Sequence, residues 1–214
     1  MTTGRHAQLP NLLTMIRGLM AVMFFIAVSN YHSPNQGVFW LWIATGLFIV
    51  AAITDFLDGY LARRWQVVSA FGRVMDPFCD KLLVIGAFVM MSGARFEVPE
   101  WTQSGHWITN ATGVMPWMVV IMLGRELFVT SARGVAESAG IAFGASWTGK
   151  AKMVLQATVI PIVLGLIAVA PPAMHEWSAW AIQTLIWITV LVTVLSGIPY
   201  AMAIPQLMRQ KDPV

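Results

Sequence analysis

Asp55-Phe56-Leu57-Asp58-Gly59-Tyr60-Leu61-Ala62-Arg63 is followed, after eight residues, by Gly72-Arg73-Val74-Met75-Asp76-Pro77-Phe78-Cys79-Asp80. Asp55 and Asp58 are three apart, and Asp76 and Asp80 four apart. Both spacings put a pair of carboxylates on one face of a helix. The residues leading into the first pair (38–54) and out of the second (82–91) are almost wholly apolar. The acids therefore stand on two helices at membrane depth. An ionised side chain there costs about 2.5–3.5 kcal/mol on insertion scales, so it must face a cavity, a partner or a ligand. The short connection between the helices predicts antiparallel neighbours, with four carboxylates converging on one point. Four crowded anions repel each other strongly unless some protonate or cations intervene. Oxygen-only ligands suit hard ions such as Mg²⁺ or Mn²⁺, and two such ions about 3.5–4 Å apart suit a phosphoryl-transfer clamp.

Composition agrees with a bilayer setting. The 214 residues are 57% hydrophobic and only 11% charged, with mean hydropathy +0.70, whereas soluble domains carry about 25% charged residues. Ten tryptophans and fourteen methionines fit the same environment, tryptophan being favoured at membrane interfaces. The single cysteine, Cys79, excludes an intrachain disulfide and a cysteine-rich metal site. The net charge of +3 reads through membrane topology and predicts no nucleic-acid partner. Ala27-Val28-Ser29 loosely mimics a signal-peptide cleavage site, but Arg17 interrupts the apolar run before it.

Six spanning helices are expected, over about 11–28, 38–62, 71–91, 114–135, 148–170 and 177–204, making residues 1–214 one all-α membrane domain. Pro171-Pro172 ends the fifth, and Trp101 and Trp107 are interface anchors in a long polar connection. Arg5, Arg63, Arg64, Arg73, Arg133, Lys150, Lys152, Arg209 and Lys211 then fall near one side of the membrane. The connections at 29–37 and 171–176 hold no Lys or Arg, and that at 92–113 holds only Arg95. The positive-inside rule places both termini in the cytoplasm.

The residues between the acids add direction. Gly59 leaves the backbone open to a ligand, Ala62 and Gly72 permit close helix packing, and Arg63 offers a planar fork of donors suited to phosphate. The spacing Asp-x-x-Asp-Gly-x-x-Ala-Arg, eight residues, Gly, three residues, Asp, three residues, Asp resembles the complete signature of the CDP-alcohol phosphatidyltransferase family. That resemblance implies six transmembrane helices, a homodimer, divalent metal and a cavity open to the cytoplasm at the membrane surface. It implies Asp55, Asp58 and Asp76 as metal ligands, and Asp80 as both a metal contact and the general base on the acceptor hydroxyl. Gly59, Arg63 and Ser69 would contact the CDP-lipid donor, as would Asn11 and Thr14. Asn11 has a simpler reading as a helix cap.

Flanking segments resemble one branch, the bacterial phosphatidylglycerophosphate synthases, whose donor is CDP-diacylglycerol and whose acceptor is glycerol 3-phosphate. They are Pro10-Asn11-Leu12-Leu13-Thr14 with Arg17, Gly124-Arg125-Glu126 with Ser131-Ala132-Arg133, and Trp147-Thr148-Gly149-Lys150-Ala151-Lys152 with Gln156. Met153 departs from the threonine expected there. The resemblance implies the bacterial inner membrane, with the active site on the cytoplasmic face. A dianionic acceptor needs cations near the acidic centre but separate from it, and Arg125, Arg133, Lys150 and Lys152 are suited to hold its phosphate. Membrane anchoring competes as a reading of the two lysines, and pairing with Glu126 as a reading of Arg125. Cardiolipin, phosphatidylserine and phosphatidylinositol-phosphate synthesis remain alternatives. So does an ion transporter, although that would need polar groups through the whole membrane thickness.

Overall fold

A computed structural model describes residues 3–65, 70–138 and 147–203, with the side chains of 12–57, 72, 75–138 and 147–203. Asn11, Asp58, Gly59 and Arg63 as side chains, and Ser69 altogether, lie outside the described residues.

Apolar runs broken by turn residues fold into helices. α1 spans Thr3–Ser29, α2 Val38–Trp65 and α3 Ala70–Met91. A short α4, Pro99–Gln103, lies in the connection to α5, Pro116–Ser138, and α6, Trp147–Val169, and α7, Glu176–Leu195, follow. The six long helices coincide with the six expected segments. α1 begins well before Asn11, so this residue sits inside a helix and does not cap one.

The helix ends have local causes. Ser29 Oγ and Asn30 Nδ2 donate to the carbonyls of Phe25 (2.8 Å) and Ile26 (2.7 Å), closing the last turn of α1. Gly37 then reverses the chain at φ +77°, where a Cβ would lie 2.4 Å from the Asn30 carbonyl oxygen. Inside this turn Tyr31 is buried and donates its hydroxyl to Pro34 O at 2.9 Å. Burial pushes its phenol up to about 12, so it stays a donor at neutral pH. The end of α3 is closed by two buried side chains, Asn110 Nδ2 at 3.0 Å and Thr112 Oγ1 at 2.7 Å, both donating to Met91 O. The Asn110-Ala111-Thr112 tripeptide is thus a helix-capping device, satisfying a carbonyl that the helix cannot.

One continuous cluster fills the bundle, with Phe24, Phe48, Phe88, Met118, Ile160 and Ile186 at its centre. Polar residues are buried within it. Gln156 Nε2 donates to Thr193 Oγ1 at 3.1 Å, linking α6 to α7. Large apolar side chains such as Leu19, Trp42, Val120, Val154 and Leu191 point outward. Polar inside and apolar outside is the arrangement of a chain dissolved in lipid, and the protein is an integral membrane protein. Four segments are long and apolar enough to cross a bilayer by composition: Leu12–Ser29, Val38–Leu57, Trp147–Val169 and Glu176–Ala203. α3 and α5 fall short because they carry Asp76, Asp80 and Lys81, and Arg125, Glu126, Arg133 and Glu137.

Among the described residues the expected pairing of α2 with α3 is not the main contact of either helix. α1 packs extensively against both, and α2 and α3 meet little among the described residues. The reason is steric and electrostatic together. Gly18 on α1 admits Cys79 of α3, whose Sγ lies 3.5 Å from where a Cβ would stand. Gly86 of α3 likewise admits Phe25 of α1, whose Cζ lies 2.3 Å from a would-be Cβ. Gly86→Val is expected to destabilise the protein by about 1–3 kcal/mol through overpacking, read as a lower unfolding temperature in detergent. Gly46→Ala, at a site with no atom within 4 Å of the added carbon, should leave that temperature unchanged.

Candidate active site

Three of the four signature acids have described side chains, and all three lie at the end of the bundle where α2 finishes and α3 begins. Asp55 projects from the last turns of α2, and Asp76 and Asp80 from the first turns of α3. Pro77 lies between the latter two inside the helix. It lacks an N–H, so one intrahelical bond is missing in the turn that presents them.

The group that brings Asp55 and Asp76 together is Arg17 of α1. Its side chain is only 1% exposed, and its Nη1 lies 2.8 Å from Asp55 Oδ1 and 3.9 Å from Asp76 Oδ1. Thr14, one turn earlier on α1, donates its hydroxyl to Asp76 Oδ1. The resemblance implies Thr14 as a donor contact, and the sequence gives Arg17 no single role. Here both hold the acids. Among the described residues no three His, Cys, Asp or Glu side chains converge as metal ligands, and Asp58 is outside that set. The donors present are all carboxylate oxygens, and a positive group already sits between two of them. Their chemistry therefore fits a hard divalent cation.

Two cavities meet at Asp80. The first, about 770 Å³, is lined by apolar side chains such as Phe48, Leu83 and Val154 and by charged ones, Arg17, Asp55, Asp80, Lys81, Glu126, Lys150 and Lys152, the last five of which it shares with the second. The second, about 490 Å³, is charged: Arg125, Arg133, Lys150 and Lys152 all line it, as do Lys81 and Asp80. The structure thus brings together the four cations expected to hold an acceptor phosphate. Glu126 and Glu137 are also in its wall, so five cations and three carboxylates leave a formal charge of +2.

These cations are held firmly. Arg125 Nη1 lies 3.0 Å from Glu126 Oε1, and its Nη2 donates to Ser196 O at 3.1 Å. Lys152 is buried and donates to the same Glu126 oxygen. Arg133 donates to the Tyr200 hydroxyl and lies 5.2 Å from the centre of that ring, within cation–π range. Lys150 is exposed at the cavity edge, and Lys81 donates to Thr130 Oγ1. Both Arg125 and Arg133 keep a buried Nε–H with no acceptor among the described residues.

Sequence reasoning missed Ser196 and Tyr200 as parts of this site, and it gave Lys81 and Glu126 no role in holding a ligand. For α7 a signal existed. Ser196-Gly197 and Pro199 interrupt an apolar run of 28 residues, and the break frees the Ser196 carbonyl for Arg125.

The Arg17–Asp55 pair is testable now. Arg17→Gln should cost about 1–3 kcal/mol, less than a fully buried pair because Asp55 is 32% exposed. The double variant Arg17→Gln/Asp55→Asn should lose clearly less than the two single variants combined, as measured by unfolding in detergent. Additive losses would show that the two side chains do not interact.

The chain matches the family model described as CDP-alcohol phosphatidyltransferase over residues 7–195. It is 37% identical over 128 residues to the CDP-diacylglycerol–glycerol-3-phosphate 3-phosphatidyltransferase of Cereibacter sphaeroides, covering 58% of this chain and 48%, about half, of that protein. It is 32% identical over 201 residues to a probable phosphatidylglycerophosphate synthase of Mycobacterium tuberculosis, covering 92% of this chain and 81% of that one. A rice cardiolipin synthase (CMP-forming) is 31% identical over 163 residues, covering 73% of this chain and 45% of that protein. With a family model spanning nearly the whole length, and Asp55 and Asp76 of the signature paired to Arg17, this chain belongs to the CDP-alcohol phosphatidyltransferase family.

Proposed function

We propose that the protein transfers the phosphatidyl group of CDP-diacylglycerol to the 1-hydroxyl of sn-glycerol 3-phosphate, giving phosphatidylglycerophosphate and CMP. The observation that carries this reading is the charged cavity beside Asp80. Its formal +2 charge complements a phosphate monoester, which carries about −1.5 to −2 at pH 7. A lipid acceptor, as cardiolipin synthesis requires, would bring a singly charged phosphodiester and acyl chains to a small polar chamber. A free serine or alcohol acceptor would leave the cations without a purpose.

The donor belongs in the larger, mostly apolar cavity, its diphosphate at the Asp55 and Asp80 end and its acyl chains leaving toward lipid. Arg63, Gly59, Ser69 and Asn11 are the expected donor contacts, with Thr14 acting through Asp76. Asp80 lines both chambers and is the group that can take the acceptor proton. As it does so, glycerol O1 bonds to the phosphorus bearing diacylglycerol. The bond from that phosphorus to the CMP oxygen breaks, and CMP leaves with the electron pair. Asp55, Asp58, Asp76 and Asp80 would hold Mg²⁺ or Mn²⁺, two ions in this reading, which supply charge neutralisation on the diphosphate and the leaving CMP. Arg17 holds Asp55 and Asp76 near one another and offsets their mutual repulsion. The wider setting is six membrane crossings in one domain, both termini and the active site on the cytoplasmic side of a bacterial inner membrane, and a homodimer.

The test is CMP release from CDP-diacylglycerol in detergent with Mg²⁺ or Mn²⁺. The acceptors to compare are glycerol 3-phosphate, serine, inositol phosphate and phosphatidylglycerol. Glycerol 3-phosphate should be preferred, and preference for any other would replace the acceptor named here. Chelation should stop release. Asp80→Asn should lower kcat by about 10²-fold or more, and near-normal turnover would remove Asp80 from the base role. Arg133→Ala should raise the KM for glycerol 3-phosphate at least about tenfold, with the KM for CDP-diacylglycerol little changed.

A further inference from the structure

A carboxylate in the wall of a chamber built for an anion looks misplaced, because it repels the ligand. Glu126 is such a carboxylate. It is buried, 9% exposed, and it lines both the charged chamber and the donor cavity. One oxygen, Oε1, takes hydrogen bonds from two cations on different helices, Arg125 of α5 at 3.0 Å and Lys152 of α6. Arg125 is tied a second time, through Nη2, to the Ser196 carbonyl beyond α7. Two of its three nitrogens are thereby occupied, and Nε alone is left without an acceptor among the described residues. Simple neutralisation of buried charge would not require both cations on one oxygen, nor that oxygen at the boundary of the two chambers.

We propose that Glu126 is the positioning residue of the acceptor site. It fixes Arg125 and Lys152 so that the acceptor phosphate is held on the Arg125–Arg133 side, and its negative charge keeps that phosphate out of the donor cavity. The hydroxyl end of the acceptor then points toward Asp80, which lines both chambers as Glu126 does. This inference rests on phosphatidyl transfer to a phosphorylated acceptor.

Glu126→Gln keeps the shape and removes the charge. The cations then attract phosphate more strongly but no longer place it. The expected result is a kcat lowered between about ten- and a hundredfold, the range a misplaced reactant produces. The KM for glycerol 3-phosphate should fall and that for CDP-diacylglycerol should stay within about twofold. Glu126→Asp keeps the charge on a side chain one methylene shorter, too short to reach both cations. It should lower kcat less and leave the acceptor KM unchanged. A residue that merely stabilised the fold would lower the unfolding temperature of both variants and leave the kinetic constants of the folded enzyme intact, which would overturn the proposal. So would an unchanged kcat in Glu126→Gln, or a rise in the donor KM. If Glu126→Gln does not fold, Glu126→Asp decides alone: a kcat equal to wild type overturns the proposal. Wild-type enzyme that releases no CMP with glycerol 3-phosphate would instead sink the functional reading, a different outcome from an active wild type matched by its Glu126 variants.

Discussion

A guanidinium with 1% of its surface exposed, deep in a helix bundle, is the constraint on which this protein is built. A charged guanidinium is costly to place in lipid. It is tolerated because α2 and α3 each bring a carboxylate to it. That requirement explains why α1 stands against both helices and why they meet each other so little. It also explains the small residues on the α1–α3 contact. Gly18 and Gly86 let the backbones approach until Cys79 and Phe25 fill the gaps, and without that approach Arg17 could not serve α2 and α3 at once.

From this pairing the rest of the polar interior follows in layers. Asp55 and Asp76 are set by Arg17 and Thr14. Asp80, one turn further along α3 than Asp76, is carried to the boundary between an apolar chamber and a charged one. The far wall of the charged chamber is held by its own network, in which Glu126, Ser196 and Tyr200 grip Arg125, Lys152 and Arg133. In the proposed reaction a lipid diphosphate and a small phosphorylated acceptor meet at Asp80, which lines both chambers, with Arg125 and Arg133 lining the second chamber only.

The same polarity explains how the bundle sits in lipid. The outer faces of α1, α2, α6 and α7 are apolar enough to cross a bilayer by composition. α3 and α5 are of similar length, but each carries charged residues that lower its average hydropathy. The buried charge among them, Glu126, is met by Arg125 and Lys152, which is how ionisable groups persist at membrane depth.

Much of this was legible in the amino-acid sequence. Periodicity and length alone locate all six long helices to within a few residues except at the start of α1 and the end of α7, because an apolar run in lipid has few alternatives to a helix. The four aspartates and their spacing point to an acidic site for hard cations without saying what it is for, since uncompensated charge at that depth is too costly to be incidental. Helix pairing was another matter. A short connection argued for α2 against α3, and only the packed bundle revealed α1 between them, because side-chain volume at Gly18 and Gly86 and the reach of one arginine decide which helices touch. The division of labour among the cations also belongs to the tertiary structure. Arg125, Arg133 and Lys152 are visible in the sequence as charges. That Glu126 and the interrupted end of α7 orient them depends on distances between helices far apart in the chain, which local pattern does not encode.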